Sequence, residues 1–230
     1  ADHLGPDTPK CPKSQNKQHE WGEPRAFNLM FKTHLGPAED TASTVYLRPE
    51  TAQGIFVNFL NVVDSTRVKI PFGIAQQGKS FRNEITTRHF TFRTCEFEQM
   101  EMEFFCKPGT DTEWYEYWRK ERLQWFIGLG VNSSRLRLRE HDKDELAHYS
   151  KACSDVEYYF PFGWSELEGI ACRSDFDLKQ HSQHSGKNIL YRDQVSNEAY
   201  MPFVVEPALG TDRALLTFLV DAYAEEEIEG

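Results

Sequence analysis

The residues best suited to chemistry lie in one stretch, FRNEITTRHFTFRTCEFEQMEMEFF (81–105). If the stretch is two strands, side chains two apart share a face. Arg82 and Glu84 then lie together on the first strand, and Arg93, Cys95, Phe97, Gln99, Glu101 and Glu103 on the second. Such a face offers a cation, a flat ring and carboxylates in order, which suits a phosphate, a base and an amine. The competing reading is a solvated sheet face with cross-strand ion pairs. Alternation alone favours the latter.

A second motif is misleading. GIAQQGKS (73–80) fits the phosphate-loop pattern GxxxxGK[ST] at every fixed position. That loop works between a strand and a helix, whose first amides help to hold the phosphates. The residues after Ser80 alternate and lead into a second strand-like run, so a P-loop nucleotidase is disfavoured. The five cysteines are odd in number and irregular in spacing, against a disulfide framework. Cys11 and His19 could make half of a metal knuckle, but two more ligands are lacking.

The elements that would carry these groups follow from periodicity. Residues 1–26, with four prolines, read as an irregular arm. A helix is expected over 51–64, capped by Thr51, with Ile55, Phe56, Phe59, Leu60 and Val63 on one face. Two antiparallel strands are expected in 79–105, around a loop near 86–91. Residues 111–127 should form a helix that starts with a capping residue and packs Trp114, Trp118 and Trp125 into the core. Strands are expected at 135–139, 156–160, 164–171 and 203–206, with a short helix at 144–150. A last helix should run from 211 to about 226 on Leu215, Leu216, Leu219 and Tyr223, ending in an acidic tail of Glu225, Glu226, Glu227 and Glu229. Strands and helices do not alternate regularly, so the fold class is α+β with a largely antiparallel sheet.

The 230 residues suffice for one large domain. A net charge of −10 gives no general attraction to nucleic acid, and no apolar run approaches a membrane span. The chain reads as cytoplasmic.

FRNE with its loop and second strand resembles motif 2 of the class II aminoacyl-tRNA synthetases, and Gly210-Thr211-Asp212-Arg213 resembles their motif 3. FNLMFKTHLGP (27–37), LRPETAQGIFVNF (47–59), RNEITTR (82–88), EFEQMEMEF (96–104), AHYSKA (147–152), PFGW (161–164) and VVEPALGTDR (204–213) together resemble the bacterial glycyl-tRNA synthetases over nearly the whole chain. The resemblance implies a six-stranded antiparallel sheet flanked by helices over 27–230, with motif 2 at about 79–105 and motif 3 at about 203–224. It implies ATP-dependent formation of glycyl-adenylate, with Mg²⁺, and transfer of glycine to its tRNA.

Residue by residue, the resemblance assigns Arg82 to the α-phosphate and the substrate carboxylate, Glu84 to adenine and Phe97 to stacking on the base. Arg88 matches a γ-phosphate contact, Arg213 the motif 3 arginine, and Glu166 a ligand of Mg²⁺ with ATP. Glu50, Glu101 and Glu206 match the carboxylates around glycine's ammonium. Arg173 matches the arginine near its carboxylate, and Ala208 a small residue of the glycine pocket. Cys95, Cys172 and Ala208 stand where arginine, asparagine or aspartate, and serine are usual. On this resemblance motif 1 should precede residue 1 and an anticodon-binding domain should follow the last residue; neither is visible. The family is homodimeric. The alternative to an active enzyme is a synthetase-like core that binds ATP, glycine or a partner without charging tRNA.

Overall fold

Period-two patterning in the middle of the chain builds the sheet that everything else packs on. The computed structural model describes residues 27–37, 40–147 and 150–228. The arm at 1–26, with Cys11 and His19, lies outside them, as do two residues of the AHYSKA segment and Glu229.

A short hairpin, β1 (Lys32–His34) and β2 (Thr44–Tyr46), precedes helix α1 (Ala52–Thr66). Strands β3 (Phe72–Phe81) and β4 (Glu96–Cys106) pair next, and helix α2 (Asp111–Gly128) follows. β5 (Leu136–Glu140), β6 (Ala152–Phe160) and β7 (Gly163–Ser174) form a meander, followed by helix α3 (Phe176–Ser185). A two-residue pair, β8 (Tyr191–Arg192) with β9 (Ala199–Tyr200), leads to β10 (Phe203–Gly210) and helix α4 (Thr211–Ala222). The main sheet has six antiparallel strands in the order β3-β4-β10-β7-β6-β5.

Neighbouring residues feed opposite faces. Phe104 and Val205 belong to a core under α2 and α4, whereas Phe105 and Val204 belong to a second core under α1 and α3. Ile55, Phe56 and Phe59 bury the inner stripe of α1, as its periodicity requires.

Several expectations change. Thr51 precedes α1, but its hydroxyl donates to Glu101 on β4 and caps nothing. The first long strand starts at Phe72 and ends at Phe81, so Arg82 and Glu84 lie on its extended continuation. The helix expected at 144–150 is absent over its described part. There the Glu145 carboxylate accepts from Arg139 Nη2 at 2.6 and 2.8 Å and from the Asp142 amide at 3.0 Å, closing a turn. Helix α2 starts at Asp111, whose carboxylate is taken by Lys151 at 2.9 Å and does not cap the helix. Trp114 and Trp118 pack on Phe104 as expected, but Trp125 stays 38% exposed under the Arg122 guanidinium.

Helix α4 stops at Ala222, because clustered glutamates oppose the negative end of a helix dipole. Its inner face is Ala214 and Thr217, while Leu215, Leu219 and Tyr223 point outward.

The phosphate-loop look-alike is strand β3 itself. Its glycines leave room for flexible side-chain ends: a Cβ at Gly73 would lie 2.7 Å from Met102 Sδ, and one at Gly78 would lie 2.5 Å from Arg48 Nη2. Lys79 sits on the surface, ion-paired with Glu96. Lys79→Ala is expected to leave the melting temperature close to the parent's and ATP affinity unaltered. A large loss of ATP affinity by calorimetry would reopen the P-loop reading.

Candidate active site

Register lays out the site. Glu101 on β4 faces Ala208 on β10, Ala208 faces Gly169 on β7, and Gly169 faces Asp155 on β6. Two small residues thus lie between two carboxylates in one row across the sheet. Over that row opens a cavity of about 230 Å³. It lies on the sheet face that α1 and α3 cover at one end only.

Nine of the eleven residues singled out from sequence line this cavity: Glu50, Arg82, Glu84, Phe97, Glu101, Glu166, Glu206, Ala208 and Arg213. Arg173 lies buried behind its wall, and Arg88 is exposed in the 82–95 loop, pairing through its backbone with Arg93. The structure therefore does not bring Arg88 to the cavity.

At one end sit the cations and the ring. Arg82 Nε donates to the Pro49 carbonyl at 2.9 Å, and its guanidinium lies 5.3 Å from the centre of the Phe97 ring. Glu84 pairs with Arg93 Nη1 at 3.2 Å, so the second arginine of this face is partly neutralised. Arg213 donates to the Phe92 carbonyl at 3.1 Å, pairs with Glu166 at 3.3 Å and lies 4.5 Å over the Phe92 ring.

Glu166 reaches the cavity because of a bulge. The register of β6 with β7 skips Leu167, so Glu166 and Glu168 point to opposite faces although they are two apart. Glu168 goes instead to α2, where Arg122 holds it at 2.6 Å.

The other end gathers acid. The Glu101 carboxylate accepts from the Thr51 amide at 2.8 Å, from the Thr51 hydroxyl and from Gln99 Nε2 at 2.7 Å. Glu206 pairs with Arg173 Nη1, and Glu50 Oε1 lies 3.8 Å from Nη2. Asp177 on α3 completes the set, accepting from Arg173 Nε at 2.8 Å and Nη2 at 2.9 Å. Burial disfavours the Arg173 charge, but Glu206 and Asp177 outweigh it and raise its pKa. Glu103 is fully buried next to this group, with its carboxyl set against that of Glu206. Burial, then the charge of Glu206, pushes the Glu103 pKa well above the carboxylate range, which favours its protonated form.

Asp177, Glu103, Thr51 and Gln99 were not among the residues singled out as a site. Gln99 and Glu103 were visible on the shared strand face, and Asp177 stands four residues after Arg173. Nothing local pointed to Thr51.

Burial, then the charge of Glu206, lifts the Glu101 pKa from 4.5 to about 7. The folded chain thus holds this proton more tightly than the unfolded chain does. Its contribution to stability is complete below about pH 4.5 and is lost as pH rises through about 7. In the absence of ligand, Glu101→Gln should therefore gain on the parent in melting temperature between about pH 5 and about pH 8. A constant difference over that range would contradict the shift.

Residues 31–222 match the model of the family described as tRNA synthetase class II core domain (G, H, P, S and T). The chain is 59% identical over 229 residues to the glycine–tRNA ligase of Clostridium tetani, covering 100% of this chain and 49% of that protein. It is 60% identical over 220 residues to the glycine–tRNA ligase of Caldanaerobacter subterraneus subsp. tengcongensis, covering 96% and 47%. The chain spans about half the length of the curated relatives it matches. The fold is also that of the Giardia lamblia prolyl-tRNA synthetase solved with prolyl-adenylate. The TM-score there is 0.66 at 18% identity, over 84% of this chain and 37% of that one. No helix among the described residues is long and apolar enough to cross a membrane. With its six-stranded antiparallel sheet and a family match over most of its length, the chain belongs to the class II tRNA synthetase core-domain family.

Proposed function

We propose that residues 27–230 form a catalytic domain that activates glycine with ATP and passes it to the 3′ end of glycine tRNA. The observation that supports this most is the convergence of Glu50, Glu101 and Glu206 at one end of the cavity. Clustered carboxylates repel and resist burial. Arg173 accounts for Glu206 and draws in Glu50, but no ion pair found among the described residues supplies a cation to Glu101. An ammonium group bound among them offsets the repulsion.

In this reading the α-carbon of glycine lies over Ala208 and Gly169, and a larger side chain meets the sheet. Rejection of alanine then comes from steric clash and from buried charges left poorly paired. Arg173 orders the carboxylates and sets the field near the substrate carboxylate, from behind the wall. At the opposite end Phe97 stacks on the adenine, Glu84 contacts it, and Arg82 and Arg213 flank the phosphates.

A glycine carboxylate oxygen attacks the α-phosphorus, the bond to the bridging oxygen breaks, and pyrophosphate leaves. Arg82 sits where the α-phosphate gathers charge during that step. The tRNA hydroxyl then attacks the acyl carbon and AMP leaves. Glu166, half-exposed and engaged only by Arg213 among the ion pairs found, offers a hard oxygen suited to the Mg²⁺ that accompanies ATP. Mg²⁺ there would neutralise phosphate charge. Arg88, on the exposed loop, is left for the γ-phosphate only if that loop closes.

Glycine-dependent ATP–pyrophosphate exchange tests the proposal. Glu101→Gln is expected to raise the glycine KM at least about 10-fold while the ATP KM changes little, since the charge is removed at the amine end only. Equal effects on both substrates, or no exchange by the parent chain, would sink the assignment. A net charge of −10 makes the expected affinity for tRNA weak and sensitive to salt.

A further inference from the structure

Three side chains at the β5–β6 edge of the cavity have no part in the proposed reaction. Cys153 and Asp155 alternate onto the cavity face of β6. His141 follows β5, its backbone amide held by the Cys153 carbonyl at 3.0 Å. All three line the cavity. A ring nitrogen of His141, the Cys153 sulfur and a carboxylate oxygen of Asp155 lie within 4.8 Å of one another, with His141 Nε2 2.7 Å from Asp155 Oδ2.

We propose that His141, Cys153 and Asp155 form a three-ligand site for a divalent cation of the zinc class, separate in chemistry from the ion that travels with ATP. Imidazole, thiolate and carboxylate together are a donor set for a borderline-soft ion, bound at about 2.0 to 2.3 Å. Magnesium demands near-octahedral oxygen and does not select a thiol. Three protein ligands with a fourth position open to the cavity is the arrangement of a zinc site that accepts water or a ligand oxygen.

The groups need only small motions. The ion takes the place of the proton between His141 Nε2 and Asp155, which passes through solvent to Nδ1 of the same ring, and both groups turn a lone pair toward the ion. Burial, with Asp155 and Glu166 adding to it, pushes the Cys153 thiol up to about 12. The metal-free site therefore keeps the thiol proton, and coordination forms the metal–sulfur bond and releases that proton to solvent. Arg139 competes weakly for Asp155, at 3.9 Å, but its other amine is engaged by Glu145.

The test uses the whole chain, stripped with a chelator and titrated with Zn²⁺ by calorimetry and with Co²⁺ as a spectroscopic probe. One equivalent should bind, with a thiolate–cobalt charge-transfer band and the intense visible bands of a tetrahedral ion. Cys153→Ser and His141→Ala should each weaken binding at least about 10-fold, while Cys95→Ser leaves it unchanged. Cys11 and His19 could take a metal of their own, so Cys11→Ser is measured beside them. A band that survives Cys153→Ser and disappears in Cys11→Ser overturns the proposal, as does the absence of any one-to-one binding. Zinc-edge X-ray absorption on the unmutated chain reads the ligands directly should a variant fail to fold. One sulfur with a nitrogen and oxygen shell supports the site, and an all-oxygen shell refutes it.

Discussion

Replacing Arg173 with methionine is expected to lower stability by about 3–5 kcal/mol, the usual result of removing one partner from a buried ion cluster. Arg173 is 2% exposed and holds Asp177 through two nitrogens, Glu206 through a third, and Glu50 at longer range. Methionine fills much of the volume but leaves those carboxylates facing one another beside the buried Glu103. They can remain buried only by taking up protons, which removes the negative field proposed to hold the amine. Urea unfolding should show a lower midpoint, with the deficit largest at high pH, where protonation is hardest. A loss below about 1 kcal/mol would mean that Arg173 is a surface-type pair in energetic terms.

The second large effect is kinetic. Arg82→Ala should reduce glycine-dependent exchange by about 10²-fold or more while the fold persists. The Arg82 side chain makes one hydrogen bond, to the Pro49 carbonyl, and otherwise faces the Phe97 ring and the cavity, so its loss leaves the sheet's backbone pairing in place. Arg88→Ala is the internal comparison. Its side chain is exposed and outside the cavity lining, so its effect should be much smaller unless the loop closes over ATP. Near-normal exchange in a folded Arg82→Ala chain would remove the α-phosphate role. The circular dichroism melt, run on the same samples, separates loss of fold from loss of chemistry.

Much of this was legible from sequence because the sheet obeys a two-residue rhythm. Phe97, Gln99, Glu101 and Glu103 shared a face on paper and share one in the fold. The start of β3 was missed because GIAQQGKS carries glycine and glutamine where strand-forming residues are usual. Pairing along the whole of β4 overrides that weak local preference. The helix expected at 144–150 was lost to a tertiary contact, Arg139 on Glu145, that no local propensity contains. The outward leucines of α4 mark the limit of periodicity, which finds a stripe but not which side the sheet takes.

Long-range partners were the hardest part of the site to see. Thr51 meets Glu101 across 50 positions, and Arg173 meets Glu206 across 33. Only the family resemblance brought Glu50, Glu101 and Glu206 into one list. Even so it was silent on Glu103 and Asp177. Glu166 and Glu168 were separable only through the bulge at Leu167, which exchanges the faces of two identical residues and leaves no mark in composition.

The strand order also sets a sequence of events during folding. β10 comes last in sequence among the six strands of the sheet, yet it lies between β4 and β7, in the middle of the sheet. Without residues 203–210 the strand order leaves a β3–β4 pair and a β5–β6–β7 meander with no strand to bridge them. Only β10 can join them, by contacts to partners roughly 100 and 35 residues upstream, and such non-local closure is slow. Glu206 and Ala208 ride on that joining strand. The candidate cavity is therefore completed by the same strand that makes the two halves one sheet, and a chain stopped before Phe203 would carry neither.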